Sequence, residues 1–174
     1  MDAPKVTKIG FIGLGQMGKH IAKNLMGEDV ELTVCDINQT QFASFREAGA
    51  KATADAQDLA GCELIFLCLP GDEAVKEVLT GGRGLLPRFT QGQMVVDLST
   101  ITYTATIELA AMLAEKGVAF LDAPVSGMEA RAKDATLSVM AGGQASDFAR
   151  IEPYLQRIGS KILHMGPVGS GQLT

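Results

Sequence analysis

Gly10 to Leu25 reads GFIGLGQMGKHIAKNL, and this stretch decides the fold. The run leading into it, Lys8 to Ile12, is short, apolar and β-prone, whereas Met17 to Met26 repeats its apolar residues at helical spacing. At the junction lies Gly13-Leu14-Gly15-Gln16-Met17-Gly18, a G-x-G-x-x-G between a strand and a helix, and all six residues are expected to contact a bound ligand. Each glycine answers a separate demand. Gly13 makes the tight turn, Gly15 lets the backbone approach a diphosphate with no Cβ in the way, and Gly18 lets the helix pack closely on the strand. The free N–H groups and the dipole of the helix start then favour an anion. Taken alone such a turn is also compatible with a purely structural role or with a methyl-donor cofactor, so its context matters.

Beyond the turn the chain alternates strands and helices. Glu31 to Cys35 is expected as a strand, Thr40 to Ala48 as a helix, and a weak strand follows near Lys51. Glu63 to Leu69 (ELIFLCL) is nearly continuous in apolar residues, the pattern of a strand covered on both faces. Asp72 to Leu79 reads as a helix, Met94 to Leu98 as a strand, Thr104 to Lys116 as a helix and Val118 to Leu121 as a strand. Thr136 to Ala141, Asp147 to Arg157 and Lys161 to Leu163 close the chain as strand, helix and strand. This order predicts an α/β fold with a doubly wound, mostly parallel sheet of Rossmann type, in which residues 1–174 form one dinucleotide-binding domain. Ligands of such sheets bind beyond the carboxyl ends of the strands, so the turns after strands carry the function. Gly81 to Gly84 is read as a surface turn on the opposite edge, without function.

Composition narrows the classes. Fifteen Lys and Arg are scattered against a net charge of −5, which leaves no basic stripe to follow a nucleic acid. No apolar span is long enough to cross a bilayer, and no signal-peptide core follows the N-terminus, so a cytoplasmic protein is expected. Cys35, Cys62 and Cys68 match no metal-ligand spacing; they are read as buried thiols in a reducing compartment, and no metal is expected. His20 and His164 are read as structural, and no Cys/His or Ser/His/Asp set supplies a base.

At the end of the second strand Asp36 is placed to accept hydrogen bonds from ribose hydroxyls and to repel a 2′-phosphate, which selects NAD over NADP. The structural alternative is an aspartate that caps the next helix.

Gly10 to Leu25 resembles the N-terminal signature of the β-hydroxyacid dehydrogenases, the group that includes 3-hydroxyisobutyrate dehydrogenase, tartronate semialdehyde reductase and 6-phosphogluconate dehydrogenase. Later stretches agree in order and spacing: Leu69-Pro70 with Val75, Asp97-Leu98-Ser99-Thr100, Leu121 to Gly127 (LDAPVSG) and Thr136 to Gly143 (TLSVMAGG). The resemblance implies that Leu69, Pro70 and Thr100 lie beside the ribose and nicotinamide. It also implies that Ser126 and Gly127 hold a substrate carboxylate, since a hydroxyl and a backbone N–H both donate to an anion. Met128 stands where the family has a second glycine, which puts the substrate in doubt; Arg131 beyond it is read as a solvated side chain or as a partner for a second anionic group.

Gly166 to Thr174 (GPVGSGQLT) matches the family's approach to its catalytic lysine, expected immediately after Thr174, ahead of an all-helical domain that forms much of the family's oligomer. The implied reaction is hydride transfer between NAD and a small 3-hydroxy acid or semialdehyde, with no catalytic residue inside these 174 positions. Two rivals stand beside it: a dinucleotide-sensing module without catalysis, and a methyltransferase. The third glycine and the Leu121 to Gly127 motif argue against the latter.

Overall fold

A computed structural model describes residues 5–174. Strand β1 (Lys8–Ile12) runs into α1 (Gly18–Leu25), then β2 (Glu31–Cys35), α2 (Phe42–Glu47) and β3 (Lys51–Thr53). The next unit is β4 (Leu64–Leu67), α3 (Asp72–Thr80), β5 (Met94–Asp97), α4 (Tyr103–Glu115) and β6 (Ala119–Asp122). The remainder is β7 (Val125–Ser126), α5 (Met128–Lys133), β8 (Leu137–Gly142), α6 (Ala145–Leu155) and β9 (Gly159–Gly166).

The sheet order is β3-β2-β1-β4-β5-β6, all parallel, so it reverses between β1 and β4. Strand β8 then runs antiparallel to β6 and β7, and β9 lies parallel to β8 at the far edge. A parallel sheet needs cover on both sides, and alternate residues of each strand supply it. Ile9, Phe11, Val34, Phe66 and Val96 face one core with Ile21 and Leu25 of α1, Phe45 of α2 and Ile151 of α6. Ile12, Cys35, Ile65, Leu67 and Val95 face the other with Val75 and Leu79 of α3 and Leu109 and Leu113 of α4. Phe11 and Phe66, paired in register across β1 and β4, stack with centroids 6.2 Å apart. These two cores set β1 and β4 rigidly side by side, which places their carboxyl ends at the point where the strand order reverses.

The expected strands and helices are present with ends shifted by a few residues, and β9 is longer than the expected Lys161 to Leu163. Besides the 3-10 turns Ala56–Leu59 and Leu86–Arg88, one strand and one α-helix have no counterpart in the sequence reading. β7 is two residues long and α5 six, too short for either hydrophobic period to register. The expected helix from Thr40 begins as a 3-10 turn, Gln39–Gln41, because the Asn38 side chain accepts the Thr40 N–H and draws the entry tight. Among the described residues no helix is long and apolar enough to cross a membrane.

Candidate cofactor cleft

The glycine turn separates the three demands in space. Gly13 has φ +106°, and a Cβ there would sit 2.1 Å from the Cys68 carbonyl oxygen, so the turn is tight against the end of β4. A Cβ on Gly18 would lie 1.9 Å from the Gly13 carbonyl oxygen, which is the close helix-to-strand contact. Gly15 differs: a Cβ there would meet nothing within 4 Å. Its freedom from a side chain serves no internal packing. The amides of Gly15, Gln16 and Met17 find no protein acceptor among the described residues, whereas those of Gly13 and Leu14 are used, by the Cys35 carbonyl at 2.9 Å and by Asp36 Oδ2 at 2.6 Å. Three free donors at the start of α1 make a cradle for an anion.

These donors open on a cleft of about 670 Å³ lined by Gly13, Gly15, Gln16, Met17, Gly18, Asp36, Leu69 and Pro70, all expected from sequence. That volume lies inside the range of roughly 300–1,000 Å³ usual for cofactor and ligand sites. Asp36, at the rim, accepts from Leu14 N–H and, through Oδ1, from Asn38 N–H at 2.8 Å. A carboxylate offers about four lone-pair sites, so two remain for hydroxyls. Leu14 departs from expectation: its side chain is buried in the core and its amide is taken by Asp36. Thr100, Ser126, Gly127 and Met128 do not line the cleft; they sit on the loops after β5 and at the end of β7. Met128 adopts φ 62° and is 81% exposed, which for a residue other than glycine is a strained backbone at a surface position.

The sequence reading missed Ile37, Ala54, Ala56, Ala74 and Val78, which supply the apolar wall. Ile37 is 94% exposed, and a bare aliphatic side chain directly after the strand-end acid was the available signal. None of Gly81 to Gly84 lines the cleft; the exposed Arg83 Nη2 lies 2.6 Å from Asp55 Oδ2. Cys68 needs a correction, since it is half-buried; it and the buried Cys35 both line the cleft, and Cys62 is buried as expected. Burial pushes the Cys35 and Cys68 thiols up to about 12 and the Cys62 thiol to about 11, so none is a ready nucleophile. His20 Nε2 meets Glu129 Oε1 at 3.0 Å and ties α1 to α5; His164 stacks on Phe148 with centroids 4.8 Å apart.

Behind Leu69 lies a polar layer at the carboxyl ends of β5 and β6. Leu69 N–H donates to Ser99 Oγ at 2.9 Å, and Ser99 N–H donates to Asp97 Oδ1 at 2.9 Å. Asp97 Oδ2 is buried with no partner. Burial, reinforced by the neighbouring Asp122, pushes the Asp97 carboxyl up to about 7. A larger groove of about 760 Å³ exists, but it opens beside Gln93 and Val118, at the amino ends of β5 and β6, away from the free amides.

Comparison with known proteins agrees with this geometry. Residues 8–166 match the family model of the NAD binding domain of 6-phosphogluconate dehydrogenase. The chain is 39% identical over 168 residues to 2-(hydroxymethyl)glutarate dehydrogenase of Eubacterium barkeri, covering 96% of this chain and 56% of that protein. It is 37% identical to the mitochondrial 3-hydroxyisobutyrate dehydrogenase of Rattus norvegicus, covering 95% of this chain and 50% of that one. Among solved structures, 3-hydroxyisobutyrate dehydrogenase of Mycobacterium tuberculosis with L-serine superposes with a TM-score of 0.89 at 32% identity, over 97% of this chain and 57% of that chain. The chain thus spans little more than half the length of these relatives. By its glycine cradle, its sheet and its match over residues 8–166, it belongs to the family of NAD-binding domains of 6-phosphogluconate dehydrogenase and the related hydroxyacid dehydrogenases.

Proposed function

We propose that residues 1–174 are the cofactor-holding domain of an NAD-dependent dehydrogenase that moves a hydride between NAD and the C3 carbon of a small 3-hydroxy acid. The observation that carries this is the set of unpaired amides at Gly15, Gln16 and Met17, opening beside the Asp36 carboxylate. Those amides hold the diphosphate, and Asp36 uses its two free lone-pair sites on the adenosine ribose. A 2′-phosphate there would meet a carboxylate already fixed by two amides, which disfavours NADP. Leu69 and Pro70 pack along the nicotinamide half, with Thr100 beyond them. The bound dinucleotide supplies the hydride acceptor.

Ser126, Gly127 and Met128 take the substrate end. The Ser126 hydroxyl and the Gly127 N–H donate to the substrate carboxylate and orient the C–H bond, the positioning part of catalysis. The exposed Met128 side chain narrows the site where the resembled family pattern has a second glycine. The hydroxyl proton must leave as the hydride does. The base is the lysine expected after Thr174, borne on a helical domain that also carries the oligomer contacts. The three free thiols suit a reducing, cytoplasmic setting.

The chain alone then binds NAD and turns nothing over. Assays with 3-hydroxyisobutyrate and tartronate semialdehyde, following reduced nicotinamide absorbance, should show no rate above background; turnover by residues 1–174 alone would refute the division of labour.

A further inference from the structure

The turn that follows β9 is fastened to the rest of the molecule by side chains to which the proposed reaction gives no part. Asp122, the last residue of β6, is fully buried, and both its carboxyl oxygens accept backbone amides from that turn. Gly169 N–H donates to Oδ1 at 2.6 Å and Gln172 N–H to Oδ2 at 2.9 Å. The glycines around this carboxylate are there for closeness. A Cβ on Gly142 would lie 2.5 Å from Asp122 Oδ1, one on Gly171 would lie 2.3 Å from the Met140 carbonyl oxygen, and one on Gly169 would lie 2.5 Å from the Tyr103 ring.

The Gln172 side chain reaches the other way. Its Nε2 donates to the Ser99 carbonyl at 2.8 Å, and its Oε1 accepts from Ile101 N–H at 3.3 Å. Ser99 is the residue whose hydroxyl receives the Leu69 amide at 2.9 Å, and Leu69 lines the cofactor cleft. An unbroken path of hydrogen bonds therefore runs from the cleft wall, through Ser99 and Gln172, to the turn and into Asp122. A buried carboxylate is a costly anchor for a surface turn unless its geometry is needed, because charge-assisted bonds fix direction as well as supply energy.

We propose that Asp122 and Gln172 are positioning residues that couple the Gly169 to Gln172 turn to the Leu69 loop, so that filling the cofactor cleft and ordering the turn favour each other. The inference rests on the cofactor reading above, and linkage makes the coupling reciprocal. Whatever follows Thr174 is thereby delivered in a register set by the occupied cleft.

Hydrogen exchange of individual amides, with and without saturating NAD, tests this on residues 1–174. In the parent protein NAD should slow exchange at Gly169 and Gln172 by about fivefold or more, the low end of ordinary coupling. Gln172→Ala should keep the slowing at Gly15 to Met17 while its effect at Gly169 falls below about twofold. Asp122→Asn keeps one acceptor and should speed exchange at the turn even without NAD; if it fails to fold, Gln172→Ala still decides. Equal NAD protection of the turn in Gln172→Ala and in the parent overturns the coupling, as does protection confined to Gly15 to Met17 in the parent. Absence of protection anywhere overturns the cofactor reading itself and the coupling with it.

Discussion

Two glycine-rich turns, one at each end of the chain, follow the same outline for opposite physical reasons. Gly13 to Gly18 and Gly166 to Gln172 both follow a strand, and both rest on an aspartate that accepts an amide, Leu14 N–H on Asp36 in one and Gly169 N–H on Asp122 in the other. In the first turn the middle glycine faces open space and its neighbours' amides are unpaired. In the second, Gly169 is walled in by the Tyr103 ring and Gly171 by backbone carbonyls, and the amides of Gly169 and Gln172 are both used. The acids differ in kind too. Asp36 stands at a solvent-facing rim, while Asp122 is fully buried with Asp97 beside it in register. A glycine motif therefore does not by itself say whether it receives a ligand or packs a turn; what a Cβ would meet does.

The same substitution in the two turns gives the widest contrast. Gly171→Ala pushes a Cβ onto the Met140 carbonyl and should cost about 3 kcal/mol, the upper end for overpacking, seen as a lower midpoint in urea unfolding. Next in size is the buried acid beside Asp122, Asp97. The folded Asp97 carboxyl is pushed from 3.8 up to about 7, so the native state holds an extra proton between those values. The stability that Asp97 itself contributes is then fully present below about pH 4 and is lost as pH rises through about 7. Asp97→Asn keeps an oxygen for the Ser99 N–H, should flatten that decline, and should stabilise the protein at pH 8 by about 2 kcal/mol. A decline that persists unchanged in Asp97→Asn would show that another group carries it.

Gly15→Ala is the mirror of Gly171→Ala. Unfolding should move by less than about 0.5 kcal/mol, as expected where nothing is touched, while NAD binding weakens about tenfold, near 1.4 kcal/mol. Should Gly15→Ala lose stability and keep its affinity, the contrast between the turns collapses. The smallest effect is expected at the rim. Asp36→Ser removes the charge that opposes a 2′-phosphate, and the ratio of NADP to NAD affinity should rise about fivefold, or roughly 1 kcal/mol, in parallel titrations.

The first turn was legible in the sequence because its logic is local. A strand, three spaced glycines, a helix and a strand-end acid are all read along one stretch, and the parallel course of β1 to β6 follows from the alternation of strands and helices. The last third was legible only in part. Strand β8 was visible, but its antiparallel course, the two-residue β7 and the six-residue α5 were not, since a parallel and an antiparallel strand share the same alternation. Asp122 read only as one position in the Leu121 to Gly127 motif, and Gln172 as one position in a terminal motif. Their roles depend on contacts 47 and 50 residues apart in the chain, which no periodicity encodes. Leu14 shows the converse: its place in the motif suggested a ligand contact, yet its side chain belongs to the core.

Calorimetric titration of residues 1–174 with NAD, NADP and S-adenosylmethionine tests the central claim most directly, because all three depend on the same cradle. A single NAD site is expected, tighter than that for NADP, with the methyl donor giving no saturable heat. No NAD binding, or tighter binding of S-adenosylmethionine, would contradict the account.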